Sequence, residues 1–343
     1  MAGQPIYILG TERSGSNLVR LILNSHPRMA VAHPPHAVRY FTPLMPAYGD
    51  LAREDNFRAL VRDVLRLLEV HVHPWNLAID AERVVHEARP RDALGITAAL
   101  YDQYREAHGK ARWACKSTFM VEHVAAILAR DPGAKLLLLV RDPRDVAVSS
   151  RDSVFSSFHP FFTARLWDAQ QRTGLAWVER LPPSTMRVVH YEALVREPEC
   201  TVRELCSFIE EDFHPDMLRF FETQEAQRSG ALSESWRRTA EPIRDDTVAR
   251  WKGALSDAEV RLVESACGDT MSRLGYTPAN DSTARLAARP GPARLAVLWL
   301  IERLLHLRVE WRSIRRDKNV GLRWRRGWLL WRLRARARTG RVA

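Results

Sequence analysis

Ile6-Tyr7-Ile8-Leu9-Gly10-Thr11-Glu12-Arg13-Ser14-Gly15-Ser16-Asn17 is the stretch on which the fold turns. An apolar run stops at Gly10, a second glycine follows at Gly15, and then Leu18, Leu21, Ile22 and Ser25 fall on one helical face. The order is strand, glycine loop, helix, with the helix ending near His26-Pro27. Gly10 and Gly15 keep the G-x-x-x-x-G spacing of a phosphate-binding loop, in which converging backbone N–H groups and a helix N-terminus attract an anion. Ser16 and Asn17 stand where an ATPase loop carries its lysine and its magnesium-binding hydroxyl, and Arg13 is the only cation inside the loop. The pattern argues against an ordinary NTPase. A purely structural glycine turn is the alternative reading.

Working outward, Leu136-Leu137-Leu138-Leu139-Val140 is a continuous apolar run, as a central strand covered on both faces requires. It delivers Arg141 to its C-terminal end, where open α/β sheets place ligands, and a guanidinium suits phosphate. Asp142-Pro143 reads as a helix cap followed by a first-turn proline, and Ser149 lies two turns into that helix. A solvated arginine at a strand end is the alternative for Arg141. Further strands are expected at 113–115 and 187–190. Helices are expected at 55–70, 92–108, 120–130, 245–253, 256–275 and over most of 198–222. The alternation of short apolar runs with helical patterns predicts an α/β fold with a central parallel sheet flanked by helices.

The two nucleotide segments together, Arg13-Ser14-Gly15-Ser16-Asn17 and Val140-Arg141-Asp142-Pro143-Arg144-Asp145-Val146-Ala147-Val148-Ser149, resemble the PAPS-dependent sulfotransferase superfamily, a P-loop-like fold. The resemblance covers roughly residues 5–276. It implies that Arg13, Ser14, Gly15, Ser16 and Asn17 hold the 5′-phosphosulfate, with Asn17 where the family more often has Thr. It also implies that Arg141 and Ser149 hold the 3′-phosphate. Arg20 to Pro27, Lys116-Ser117, His190-Tyr191-Glu192-Ala193-Leu194 and Arg250-Trp251-Lys252-Gly253 fit its general layout, and Arg250 and Lys252 are candidates to return over the nucleotide or to end a helix in solvent.

The implied reaction moves a sulfuryl group from PAPS to a hydroxyl or an amine, releases adenosine 3′,5′-bisphosphate and needs no metal. By analogy with phosphoryl transfer it needs cations at the leaving oxygens and a base for the acceptor's proton. Arg13 and Lys116 are the expected cations, Lys116 on the resemblance or else a surface lysine. Where one branch of the family keeps a histidine, this chain has Thr118. Where another keeps a glutamate, Ala32-His33-Pro34-Pro35-His36-Ala37 offers no carboxylate but two histidines. His36, then His33, are therefore the expected base, since imidazole titrates near neutrality; polar loop histidines or a weak metal site are the other readings. Glu12 is expected to point away from the donor, because a carboxylate repels phosphate. A P-loop nucleotide kinase is the alternative enzyme, and a nucleotide-binding membrane adaptor without catalysis is the alternative of another class. Segments 37–112 and 152–184 are expected to supply the loops that shape the acceptor pocket.

The composition is that of a globular protein: of 343 residues, 46% are apolar and 27% charged, which excludes global disorder. Four cysteines without metal-ligand spacing exclude a disulfide scaffold and point to a reducing compartment. The opening residues lack a secretory pattern, so a cytoplasmic location is expected. The net charge of +11 divides unevenly. Residues 285–343 hold 17 Lys/Arg and 3 Asp/Glu, net +14, leaving 35 against 38, net −3, for the rest. The expected organisation is a sulfotransferase-like α/β domain over 1–283 and a basic helical, amphipathic appendage over 284–343, joined near Pro290-Gly291-Pro292. Between 294 and 338, arginines alternate with Trp and Leu, which suits the inner face of an anionic membrane. A helix packed on the body is the alternative. A nucleic acid or other polyanion is disfavoured because no nucleic-acid fold accompanies the segment.

Overall fold

The computed structural model describes residues 3–151, 153 and 158–338. Met1 and Ala2, part of the 152–184 segment and the last five residues of the appendage lie outside the described residues. In chain order the main elements are β1 (Ile6–Gly10), α1 (Ser16–Asn24), β2 (Met29–Ala30), α2 (Glu54–Glu69), α3 (Ala93–Ala107), β3 (Arg112–Lys116), β4 (Lys135–Val140) and α4 (Pro143–Ser150). There follow α5 (Pro160–Val178), β5 (Met186–His190), α6 (Pro198–Ile209), α7 (Gln224–Leu232), α8 (Asp257–Arg273), α9 (Pro292–Arg316) and α10 (Val320–Arg338).

The five strands form one parallel sheet in the order β2-β3-β1-β4-β5. The chain leaves β1 toward β2 and β3 on one side, then crosses to β4 and β5 on the other. That reversal opens a crevice at the C-terminal ends of β1 and β4, where α/β sheets bind ligands. The period-2 alternation of strand side chains builds two cores. Tyr7, Leu9, Leu136, Leu138 and Val140 face α2, α3, α5 and α8. Ile6, Ile8, Leu137 and Leu139 face α1 and α6. The unbroken apolar run of β4 follows from burial on both faces.

Three sequence expectations differ from the structure. Residues 160–178 are not a pocket-shaping loop but the nineteen-residue α5, buried against β4. Its Gly174 backs directly onto Leu138. Its Gln171 amide donates to the Leu139 carbonyl at 3.1 Å, and its Trp167 indole to the Arg141 carbonyl at 3.0 Å. Residues 245–253 are helical only over Trp251–Ala254. The Asp145 carboxylate accepts from the backbone N–H of Ala249 at 2.7 Å and of Trp251 at 2.9 Å, and Ala249 adopts a positive φ of 56°, which no helix continues through. In 198–222 the α-helix stops at Ile209, where Glu210 turns left-handed, and only short 3₁₀ turns at Pro215–Met217 and Phe220–Glu222 follow.

The basic C-terminal helices lie against this body. Leu298 of α9 packs with Phe161 and Leu262. Leu330 and Leu333 of α10 belong to the larger core. Between the two helices, Asp317 accepts from Ser233 Oγ and from the Glu234 N–H, each at 3.0 Å, and Asn319 donates to the Val72 carbonyl at 3.1 Å.

Candidate active site

The loop after β1 is held in shape by sterics. Gly10 has φ 132°, and a Cβ there would stand 2.3 Å from the Leu139 carbonyl oxygen. Gly15 has φ 90°, and a Cβ there would strike the Tyr191 ring at 2.3 Å. With Gly15 as its N-cap, α1 starts with no side-chain cap and no acidic residue in its first turn. Its first N–H groups and the positive end of its dipole are left to an anion. Ser14 Oγ and Asn17 Oδ1 are buried here without hydrogen-bond partners.

Arg141 leaves β4 directly beneath this loop. Its Nη1 donates to the Arg13 carbonyl at 3.0 Å and its Nη2 to the Thr247 carbonyl at 2.9 Å, while its guanidinium carbon lies 4.3 Å from the centre of the Tyr191 ring. The buried Nε of Arg141 has no partner. Arg13 Nε donates to Ser149 Oγ at 3.2 Å and its Nη1 to the Ser235 carbonyl at 3.2 Å. The sequence motifs thus meet in space: the loop arginine touches the helix serine of the second segment. These groups, with Arg250 and Thr247, line a cavity of about 580 Å³. Orphaned buried polar atoms, an uncapped helix start and three arginines fit a nucleotide bearing phosphates at two positions. Lys252 is not brought in. It lies exposed, its ammonium 6.0 Å from the Trp251 ring.

The segment His190-Tyr191-Glu192 gains a physical role. The Glu192 carboxylate accepts from the Asp142 N–H at 2.9 Å and from the Tyr276 hydroxyl at 2.7 Å, and Tyr191 OH shares a 2.7 Å hydrogen bond with Thr247 Oγ1. Together they tie the ends of β4 and β5 to the segment returning over this cavity.

A second cavity of about 220 Å³ is lined by Glu12, His33, His36, Lys116, Thr118 and Arg326, among others. Arg13, Ser16, Asn17 and Trp236 line both cavities, so the two meet at the phosphate loop. His36 Nδ1 lies 2.9 Å from Ser117 Oγ. Burial, then the charges of Lys116 and Arg39, push the His36 imidazolium well below the usual histidine range, so the ring is neutral at pH 7. His33 is packed among rings, 5.0 Å from His73 and 4.7 Å from Trp236, with Nδ1 3.1 Å from His71 Nε2 and Nε2 buried without a partner. Burial and the same lysine lower its pKa too.

Lys116 ends β3 inside this cavity. Burial, then the charge of Arg20, pull its ammonium down to about 7, against a smaller upward pull from Glu12. Glu12 lines this second cavity rather than the first, and burial raises its carboxyl above the usual range despite Arg39 and Lys116. Glu12, expected to point away from the donor, stands outside the first cavity; sequence reasoning did not place it beside His36 and Lys116. It also missed Trp236 and Arg326, for which no local motif exists.

Residues 5–215 match the model of the sulfotransferase family. An Aquifex aeolicus protein without assigned function is 24% identical over 257 residues, covering 73% of this chain but only 30% of that relative's length. Protein-tyrosine sulfotransferase 1 of Danio rerio is 25% identical over 289 residues, covering 80% of this chain and 72% of the relative. Among solved structures, the sulfotransferase domain of the Synechococcus PCC 7002 olefin synthase superposes with a TM-score of 0.52 at 19% identity, over 77% of this chain and 94% of that domain. The chain belongs to the sulfotransferase family and, with it, to the PAPS-dependent superfamily that its two nucleotide motifs resemble.

Proposed function

We propose that the protein transfers a sulfuryl group from PAPS to a hydroxyl, or alternatively an amine, without a metal. The observation that carries this reading is the meeting of two cavities at the phosphate loop, one lined by Arg13, Arg141 and Arg250 and the other holding His33, His36 and Lys116. PAPS would lie in the first with its 3′-phosphate at Arg141, Ser149 and Arg250 and its phosphosulfate at Arg13 to Asn17. The acceptor oxygen, approaching through the second cavity, forms the new S–O bond as the S–O bond to the 5′-phosphate breaks. The charge left on that phosphate meets Arg13, Lys116 and the start of α1. The acceptor's proton passes to His36 Nε2, which keeps its lone pair when Nδ1–H donates to Ser117 Oγ. His33 is the next candidate from the sequence. Glu12 is a second reading of the base, favoured by its place in the same cavity and its raised pKa.

The basic α9–α10 segment supports peripheral contact with an anionic membrane. Among the described residues no helix is long and apolar enough to cross one.

The test is incubation of the protein with sulfur-labelled PAPS and an acceptor mixture. Label should move to acceptor as adenosine 3′,5′-bisphosphate accumulates. Binding of the bisphosphate without any transfer would favour the catalytically inactive adaptor.

A further inference from the structure

The α9 helix has two apolar sides. Leu298, Val309 and Ser313 are buried against the body, and Glu302 on the same side accepts from the backbone N–H of Phe158 and of His159. On the opposite side Val297, Leu300, Leu304, Leu307, Trp311 and Ile314 recur at three- and four-residue steps, each between 47% and 65% exposed. That stripe runs for about 26 Å at 1.5 Å per residue. No other described residue covers it.

Its borders are cationic and aromatic. Arg303 lies over the Trp299 ring at 4.7 Å and Arg315 over Trp311 at 4.1 Å. On α10, Trp324, Trp328 and Trp331 are each more than half exposed, with Arg332 4.4 Å from the Trp328 ring. Such a surface suits the headgroup level of an anionic bilayer: the leucines enter the acyl boundary, indoles sit at the interface and guanidinium groups meet lipid phosphates. A second copy of the chain fits less well. In a parallel self-paired coil the residues flanking the stripe would set Arg303 against Arg308, and the one flanking acid, Glu310, which would face Arg315, already accepts from Arg323 at 3.0 Å.

Helix α10 also reaches the second cavity. Arg326 lines the cavity of His36, Lys116 and Glu12, and its charge acts on His36 and His71. Two residues to either side of it stand the exposed Trp324 and Trp328. One turn of α10 therefore walls the acceptor cavity and carries the interfacial tryptophans.

We propose that α9 and α10 seat the protein on an anionic membrane surface and that its acceptor is an amphiphile whose hydroxyl lies at headgroup level in that surface. The inference rests on the sulfuryl-transfer reading.

The experiment has three arms on the full chain. In the first, flotation is measured with phosphatidylcholine vesicles with and without phosphatidylglycerol. The protein should float with the anionic vesicles and less so in high salt, since exposed charges are screened within ~10 Å at 0.1 M. Leu304→Ser combined with Leu307→Ser should weaken partitioning by roughly 10²-fold while leaving binding of adenosine 3′,5′-bisphosphate unchanged. In the second arm, sulfur-labelled PAPS is offered with the lipid extract and, separately, the water-soluble extract of the native cells. Label should enter the organic phase. The third arm is calorimetry with adenosine 3′,5′-bisphosphate, which tests the underlying reading by itself. Nucleotide binding with no flotation overturns the membrane seat, as does sedimentation as a dimer that the double serine variant dissociates. Label confined to the water-soluble extract overturns the amphiphilic acceptor. Absence of nucleotide binding overturns the sulfuryl-transfer reading instead.

Discussion

Arg141 spends two of its donors on holding the phosphate loop and the Thr247 segment and keeps its Nε without a protein partner. On the proposed reading its removal deletes a charge-assisted contact to the nucleotide. Arg141→Ala should weaken adenosine 3′,5′-bisphosphate binding by about 1.5–3 kcal/mol, measured by calorimetry, and should matter far less for a nucleotide without the 3′-phosphate. Lys116 offers a sharper signature. With its free-enzyme pKa at about 7, it is largely neutral above that pH. An anionic donor favours the ammonium, so binding above pH 7 should take up a proton, and affinity should fall as pH rises. Calorimetry in two buffers of different ionisation enthalpy checks this, and Lys116→Met should abolish the uptake. For His36, burial places the loss of the neutral base below the ordinary histidine value. Turnover should fall on acidification only below about pH 6.5. His36→Ala should lower kcat by ~10²–10⁴-fold and flatten that limb, whereas Lys116→Ala should keep it. If His33→Ala and His36→Ala both turn over normally while Glu12→Gln does not, the base is Glu12.

Among the elements, α4 holds the segment that returns over the first cavity. Its Asp145 grips the backbone of Ala249 and Trp251, and burial raises the carboxyl, those N–H groups and Arg141 opposing the rise. Asp145→Ala leaves the returning segment without its clasp, so nucleotide affinity should drop while the far-UV circular dichroism stays close to wild type. Equal affinity would show that Arg250 finds its place unaided. The strand–loop–helix of β1 and the run of β4 were legible because the signal is local: apolar runs, two glycines, a capped proline start. The α5 helix was not. Gln170 and Gln171 sit fully buried on it, and Gln171 bonds the end of β4, so its polar residues mark the core side and blur the amphipathic pattern. The helical expectation for 245–253 failed for a related reason, since a distant carboxylate took the N–H groups a helix would use. In the site, the phosphate-loop and Arg141 segments were readable as motifs. The approach of Glu12, Trp236 and Arg326 depends on chain-distant packing that no spacing encodes.

At the scale of the molecule, a near-neutral α/β body carries two basic helices that are anchored rather than trailing. Arg312 and Arg316 pair with Glu234 at 2.8 and 2.7 Å, next to the Ser235 carbonyl that receives Arg13. Leu330 and Leu333 fill the larger core. Ending the chain near Ala288 would therefore uncover apolar surface and loosen the segment that carries Ser235 and Trp236. The thermal midpoint should fall and nucleotide binding should weaken; an unchanged midpoint would make the helices a detachable tail.

The central claim is that this phosphate loop and Arg141 serve a 3′-phosphorylated donor without a metal, and titration calorimetry in EDTA tests it most directly. Adenosine 3′,5′-bisphosphate should bind there, and adenosine 5′-phosphate should bind at least tenfold more weakly, the factor that about 1.4 kcal/mol of lost contact corresponds to. Equal affinity for the two nucleotides, or binding that returns only when magnesium is added, would contradict the account.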